Sequence, residues 1–335
     1  MMPPARMRAA VITRPGGPEV LEVQERPTPA PADHEILIRV RASALNRADL
    51  LQREGHYPAP PGAPADIPGV EFAGEVAALG KSVTNWREGD RVFGIVGGGG
   101  NAEYLVTDAQ SVARVPSALS WTDAAAVPEA FITANDALVS QAGVRTGETV
   151  LIHAVGSGVG LASVQLARAW RATPYGTART ASKIEKAREL GMADGVVVGD
   201  DAMVIVPAVE RWTSGKGIDI TLDLVSGAYV AAEIQAAAKR GRIMLIGTVA
   251  GRSATIPVGM VLGKRLTLRG TVLRARSIEE KREVTAAFAR DVVPLFESGV
   301  LKPTIDRVFP LAEIAASHQR LASNETFGKI VIDHG

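Results

Sequence analysis

The sequence predicts an α/β protein: a β-rich first part, then a doubly wound parallel sheet with helices on both faces, then a mixed closing segment. Three observations carry this. Residues 7–130 hold short alternating or β-branched runs between turns rich in Pro and Gly, the pattern of half-buried strands. From about residue 130, helical windows of roughly 10–15 residues alternate with short apolar strands, as a parallel sheet with crossover helices requires. The first of those strands runs into a Gly-rich turn and then a helix.

Taken in order, 7–12 is a first strand, 14–18 a turn, 20–23 a strand and 27–31 a Pro-rich connector. Residues 35–44 alternate as a half-buried strand does, and 46–52 form a short helix that Asn46 can cap. The stretch 55–68 carries Pro58, Pro60, Pro61, Pro64 and Pro68 and reads as a loop, the kind of segment on which function often sits. Strands follow at 69–76, 89–94 and 102–106, with the glycine run 97–100 as a loop tip. In the second part, strands are expected at 149–154, 173–177, 195–198, 218–222, 242–247 and 266–270. Helices are expected near 130–142, 158–171, 182–190, 202–213, 228–238 and 278–298. A strand at 304–308, a helix at 311–321 and a strand at 328–332 close the chain.

Composition narrows the function. At 335 residues, one or two domains are expected, and 46% hydrophobic with 22% charged residues is a globular balance. The 37 basic residues offset 36 acidic ones, so no charge surplus points to nucleic acid or a membrane surface. No apolar run is of spanning length and no signal-peptide core follows the first residues, so a cytoplasmic protein is expected. Zero cysteines exclude disulfides, iron–sulfur clusters and thiolate zinc sites. The five histidines show no ligand spacing, and no metal is expected.

The turn at 155–160 is the main chemical signal. Glycines there let the backbone turn sharply and let a phosphate approach the amides at a helix N-terminus. A strict GxGxxG ending at Gly160 would need glycines at 155 and 157. Val155 and Ser157 stand there instead, with Gly156 and Gly158 displaced by one. A Gly-rich turn without a ligand is the alternative reading.

Six stretches, in order along nearly the whole chain, carry a family resemblance: 44–53, 69–74, 126–134, 152–160, 273–276 and 328–331. Through them the sequence resembles the zinc-independent medium-chain dehydrogenases/reductases. Within these it is similar to the zeta-crystallin-like NADPH:quinone oxidoreductases, in the subgroup of the tumour-suppressor-inducible quinone oxidoreductase. The resemblance implies a GroES-like β-barrel catalytic domain at 1–128 and 272–335, and a Rossmann NADPH-binding domain at 129–271, with the cofactor in the cleft between them. It also implies a dimer. The strand at 266–270 would lie last in the sheet, an edge open to pairing with its copy. Where zinc enzymes of the superfamily carry a Gly-His-Glu motif, Val70 replaces the histidine. Without zinc as a Lewis acid, an electron-poor acceptor such as a quinone or enone is the fitting substrate.

NADPH is the expected cofactor. After the second strand of the sheet come Arg179, Thr180, Ser182 and Lys183, with no acid before Glu185. Two cations and two hydroxyls suit a 2′-phosphate, which an acid would repel; solvated charges at a helix start are the alternative. The resemblance further implies cofactor contacts at Thr133, at Gly156, Ser157, Gly158, Val159 and Gly160, at Gly247 and Thr248, at Leu273 and Arg274 through backbone groups, and at Lys329. As hydride reaches the acceptor, charge develops on its oxygen, which a donor stabilises. Asn46, Tyr57 and Ser157 are the candidates. Each has a plainer role open to it: Asn46 as a helix cap, Tyr57 stacked on loop prolines, Ser157 bonded within its own turn. His153 reads as a strand-end histidine and Glu71 as a buried acid bonding backbone groups. An NADPH-dependent enone or enal reductase, and a non-catalytic NADPH-binding protein, are the competing functions.

Overall fold

The strand Glu35–Leu45 organises the first part of the chain, because its burial lets it serve as a shared wall. It pairs antiparallel with Glu71–Leu79, Tyr104–Asp108 and Lys329–Asp333. The computed structural model describes residues 3–335. These divide into a unit up to Ile132 plus Leu273–Gly335, and a unit of Thr133–Val272.

In the first unit a seven-stranded sheet runs Ile305–Pro310, Lys329–Asp333, Glu35–Leu45, Glu71–Leu79, Arg91–Ile95 and Val112–Arg114, with Tyr104–Asp108 on the long central strand. Only the Ile305–Pro310 pairing is parallel. Register shifts near Val40–Ala42 bend the central strand. Ile36, Ile38, Phe72, Val92 and Leu105 pack one core of this unit. The C-terminal strand Lys329–Asp333 therefore lies beside a strand from near the N-terminus, which brings residues nearly 300 positions apart into contact.

The second unit is a six-stranded parallel sheet ordered Asp194–Val197, Thr173–Ala178, Thr149–Ile152, Ile218–Asp223, Ala237–Leu245, Thr267–Gly270. The chain moves outward from Thr149–Ile152, then returns to its other side at Ile218–Asp223. That reversal is the topological switch point, where open α/β sheets bind ligands at the carboxyl ends of their strands. As expected, Thr267–Gly270 is the edge strand.

Several sequence expectations are corrected. The helix expected at 278–298 is broken into Ile278–Asp291 and Val293–Glu297, with Pro294 at the start of the second piece, where its missing N–H costs nothing. The helix expected at 130–142 becomes Pro128–Asn135 followed by a π-helical Asp136–Gln141. The strand expected at 242–247 is Ala237–Leu245 and follows the helix Tyr229–Ala236 without a loop. The strand Val112–Arg114 and the helices Trp121–Ala125 and Val258–Lys264 are additional; they are too short for periodicity to reveal.

Candidate functional site

The Gly-rich turn of the second unit is built by strand pairing and one cap. Thr149–Ile152 ends at His153, whose amide donates to Leu222 O at 3.1 Å. Ala154 takes a left-handed φ of 47°, and Ser157 N closes the turn onto Ala154 O at 2.9 Å. Ser157 then caps the helix Gly158–Ala169, its Oγ accepting from Gly160 N at 3.1 Å. Ser157 does bond within its own turn, as an acceptor, which leaves its O–H as a donor. A Cβ on Gly160 would stand 2.6 Å from Ala154 O, so only glycine lets the helix sit this close to the turn. The first-turn amides of Gly158 and Val159 have no intrahelical acceptor and face the helix N-terminus.

Next to this turn, Thr173–Ala178 ends in Arg179 and Thr180, both exposed, with Thr180 Oγ1 at 3.3 Å from Ser182 Oγ. Lys183 lies in the first turn of the helix Ala181–Glu189. Across the switch point, Gly247 and Thr248 follow Ala237–Leu245. A Cβ at Gly247 would meet Leu224 O at 2.6 Å. Thr133, 7% exposed, carries a buried Oγ1 with no hydrogen-bond partner among the described residues. An orphaned hydroxyl, unbonded first-turn amides and an acid-free cationic strand end are what a pyridine dinucleotide phosphate would meet, and the residues fit it.

His153 is more than a strand-end residue. Its Nδ1 lies 2.9 Å from Thr177 Oγ1 and its Nε2 2.9 Å from Glu233 Oε1, all fully buried. Burial pulls the imidazole down to about 4 and pushes Glu233 up to about 8. Asp223 rises to about 6 through burial and the nearby Glu233, although its carboxylate accepts the amides of Val225 and Ser226.

The first unit holds a second polar cluster. Lys329, 4% exposed, donates to Leu45 O at 2.9 Å and Asn46 Oδ1 at 2.6 Å, and pairs with Glu71 Oε1 at 2.6 Å. Asn46 Nδ2 donates to Glu71 Oε1 at 2.7 Å and to Ala44 O at 3.3 Å. Glu71 Oε2 accepts the amide of Glu129 at 2.7 Å. Read from the sequence, Asn46 offers a free amide donor; in the structure both Nδ2 hydrogens and its oxygen are engaged. Likewise the ammonium of Lys329, which the resemblance turns toward a cofactor, is committed to three acceptors. Glu71 does bond a backbone amide, as expected, but it also forms a buried ion pair.

Beside this cluster, Arg274, 6% exposed, donates to Gly97 O at 2.8 Å, Gln52 Oε1 at 2.5 Å and Tyr57 O at 3.3 Å. Its guanidinium stands 5.0 Å from the centre of the Tyr57 ring. Leu273 is buried next to it. Tyr57 is thus held by an arginine, not by loop prolines alone. Burial raises the Tyr57 phenol above its usual value, and the nearby Glu129 pushes the same way. Asp49 accepts the amides of Asn46 and Gly69 at 2.7 and 2.8 Å and is pushed up to about 6 by burial. Glu129 is pushed up to about 8 by burial and by Glu71. Sequence reasoning missed Glu129 and Asp49. The available signal was an acid inside the Ala-rich 124–134 stretch, which looks like any acidic residue at a helix start.

The alcohol dehydrogenase GroES-like domain model matches residues 32–117, and the zinc-binding dehydrogenase model matches 158–290. The quinone oxidoreductase of Homo sapiens is 30% identical over 333 residues, covering 97% of this chain and 97% of the relative. That of Pseudomonas aeruginosa is 32% identical over 318 residues, covering 95% and 96%. Among solved structures, mycobacterial Rv1454c complexed with NADPH aligns with a TM-score of 0.87 at 26% identity, covering 98% of this chain and 100% of that one. The chain lacks cysteine, and Val70 is buried beside Glu71. Among the described residues no group of three or more His, Cys, Asp or Glu could hold a metal. With full-length relatives at this identity, both domain models matched, and a parallel sheet carrying its Gly-rich turn, the chain belongs to the quinone oxidoreductase family of medium-chain dehydrogenases/reductases.

Proposed function

We propose that this protein is an NADPH-dependent reductase of quinones that works without a metal, with 129–271 as its NADPH-binding domain and 1–128 with 272–335 as its catalytic domain. The observation that carries the reading is the Ser157-capped turn standing next to a strand end with Arg179 and Lys183 and no acid. Gly156, Ser157, Gly158, Val159 and Gly160 receive the pyrophosphate at the helix N-terminus. Arg179, Thr180 and Lys183 meet the 2′-phosphate. Thr133, Gly247, Thr248 and backbone groups of Leu273 and Arg274 hold the nicotinamide. NADPH supplies the hydride; the chain's own residues bind, orient and stabilise. Tyr57 presents a phenol to the acceptor, Arg274 fixes the Tyr57 ring, and Asn46 and Lys329 hold Glu71 in place.

The test is NADPH oxidation against a panel of ortho- and para-quinones and α,β-unsaturated ketones, after dialysis against a strong chelator. Turnover of quinones by the dialysed protein is expected. Turnover of enones alone would move the assignment to a double-bond reductase. NADPH binding with no turnover on any acceptor would make it a non-catalytic binder.

A homodimer in the cytoplasm completes the reading. Thr267–Gly270 leaves one side of the parallel sheet unpaired, and Leu262 and Val258 on the preceding helix are 72% and 57% exposed. Light scattering should give about twice the 35.1 kDa of one chain; a monomer mass would reject the dimer.

A further inference from the structure

We infer that the end of the second unit opposite its Gly-rich turn is a docking surface for an anionic lipid bilayer, carried by Arg145, Arg171, Lys216, Lys239, Arg240 and Arg265. None of them belongs to the proposed cofactor site, and the inference stands whichever acceptor the protein reduces.

Sheet topology collects them. In a parallel sheet every strand starts at one end and the crossover helices finish there, so the connections from helix to strand share one face. Arg171 precedes Thr173–Ala178, Arg145 precedes Thr149–Ile152, and Lys216 precedes Ile218–Asp223. Lys239 and Arg240 stand in the part of Ala237–Leu245 that bulges out of register, between the pairings of Ile218 with Ala237 and of Ile220 with Arg242. Arg265 precedes Thr267–Gly270. These strands are consecutive in the sheet, from Thr173–Ala178 to the Thr267–Gly270 edge. At about 4.8 Å per strand step, the cations form a row about 19 Å long. All of them are exposed.

Their lack of partners sets them apart. Cations beside helix C-termini ordinarily serve the helix ends. Lys264 does so here: its Nζ donates to Ile234 O, Gln235 O and Ala237 O at 3.1, 2.7 and 2.7 Å. Arg242 is equally committed, to Glu148 Oε1 at 2.5 Å and to Ala142 O at 2.8 Å. Among the described residues, the side chains of the cations in the row form no hydrogen bond or ion pair with the protein. The connections 142–148, 170–172, 190–193, 214–217 and 265–266 and the turn 238–241 hold a single acid, Glu148, and Arg242 neutralises it. Arg171, Arg240 and Arg265 also occupy left-handed backbone, with φ of 57°, 64° and 57°. Glycine is the residue such positions favour, so the backbone does not ask for arginine there. A chain of net charge +1 thus gathers its unpaired cations on one face of this unit.

Charge and shape name the occupant. A row of separate cations on short connections across a sheet end matches a plane of negative headgroups, and each cation near that plane adds to the attraction. A single-stranded nucleic acid wants aromatic platforms for its bases. The connections hold one aromatic residue, Trp170, and it is half-buried. The Gly-rich turn lies at the other, carboxyl ends of the strands, so docking here does not cover it.

Vesicle co-sedimentation tests this. The protein should bind phosphatidylcholine vesicles containing about 30% phosphatidylglycerol and not vesicles of phosphatidylcholine alone. Raising salt from about 0.1 to about 1 M should release it, because the screening length falls from about 10 to about 3 Å. Lys239→Ala/Arg240→Ala should weaken the binding roughly 30-fold, the loss that two basic residues at a charged surface imply. Arg145→Ala/Arg171→Ala, elsewhere in the row, should lose as much. The control Arg14→Ala/Lys81→Ala removes two exposed cations of the first unit and should stay within about twofold of the unaltered protein. Equal binding to both kinds of vesicle, binding that persists at high salt, or an equal loss in the control would overturn the inference. So would a protein that ignores anionic vesicles yet shifts a DNA duplex, which would assign the row to nucleic acid.

Discussion

Replacing Lys329 with Met removes the cation paired with a fully buried carboxylate. Lys329 and Glu71 are 4% and 0% exposed, and their charges meet at 2.6 Å. After Lys329→Met, Glu71 retains only the Asn46 amide and the Glu129 N–H, and Leu45 O and Asn46 Oδ1 lose their donor. Removing one partner of a buried pair leaves the other uncompensated, which costs about 3–5 kcal/mol. Glu71→Gln should cost a similar amount by stranding the ammonium. The double variant Lys329→Met/Glu71→Gln removes both charges and should lose far less than the sum, with a coupling of about 2 kcal/mol or more. Urea unfolding at pH 7, read by circular dichroism, measures the three differences, and NADPH fluorescence titration runs alongside. A loss below about 1 kcal/mol in K329M, additive with Glu71→Gln, would refute the reasoning. So would intact stability with NADPH affinity down tenfold, which would return Lys329 to the cofactor contact that the resemblance implies.

NADPH should bind at least tenfold tighter than NADH, about 1.4 kcal/mol, and Arg179→Ala should erase most of that gap; equal affinities in the unmutated protein would remove the 2′-phosphate assignment. Tyr57→Phe should lower kcat roughly 10- to 100-fold on a weak acceptor with NADPH affinity unchanged, whereas a neutral Phe variant would reduce Tyr57 to a wall of the site. Glu233 is pushed from 4.5 to about 8, so the folded state keeps a proton that the unfolded chain releases across that window. Stability of the wild type should therefore fall, relative to Glu233→Gln, as pH rises from 5 to 8, by up to about 1.4 kcal/mol per pH unit. Urea midpoints of the two proteins that run parallel over this range would show that Glu233 is ionised throughout.

What the sequence determined by itself was local and repetitive. Alternating strand and helix windows announced the parallel sheet because side-chain periodicity is a property of neighbouring residues. The Gly156–Gly160 turn was legible because only glycine allows the close approach found at Gly160. The acid-free strand end at Arg179 was legible because a single short segment supplies it. The edge position of Thr267–Gly270 followed from its being the last strand of the alternating series. The polar chemistry was decided by tertiary structure. Asn46 and Lys329 are 283 residues apart, and Glu71 and Glu129 are 58 apart. No spacing rule connects such pairs. The Asn46 amide, free on paper, is consumed because an antiparallel pairing sets Lys329–Asp333 against the end of Glu35–Leu45. The Glu129 carboxyl is pushed up and the His153 imidazole down because protonation depends on burial and on charges brought in from distant elements. Side-chain periodicity says which face of an element turns inward. It does not say which charges meet there, and those meetings set the chemistry of this protein.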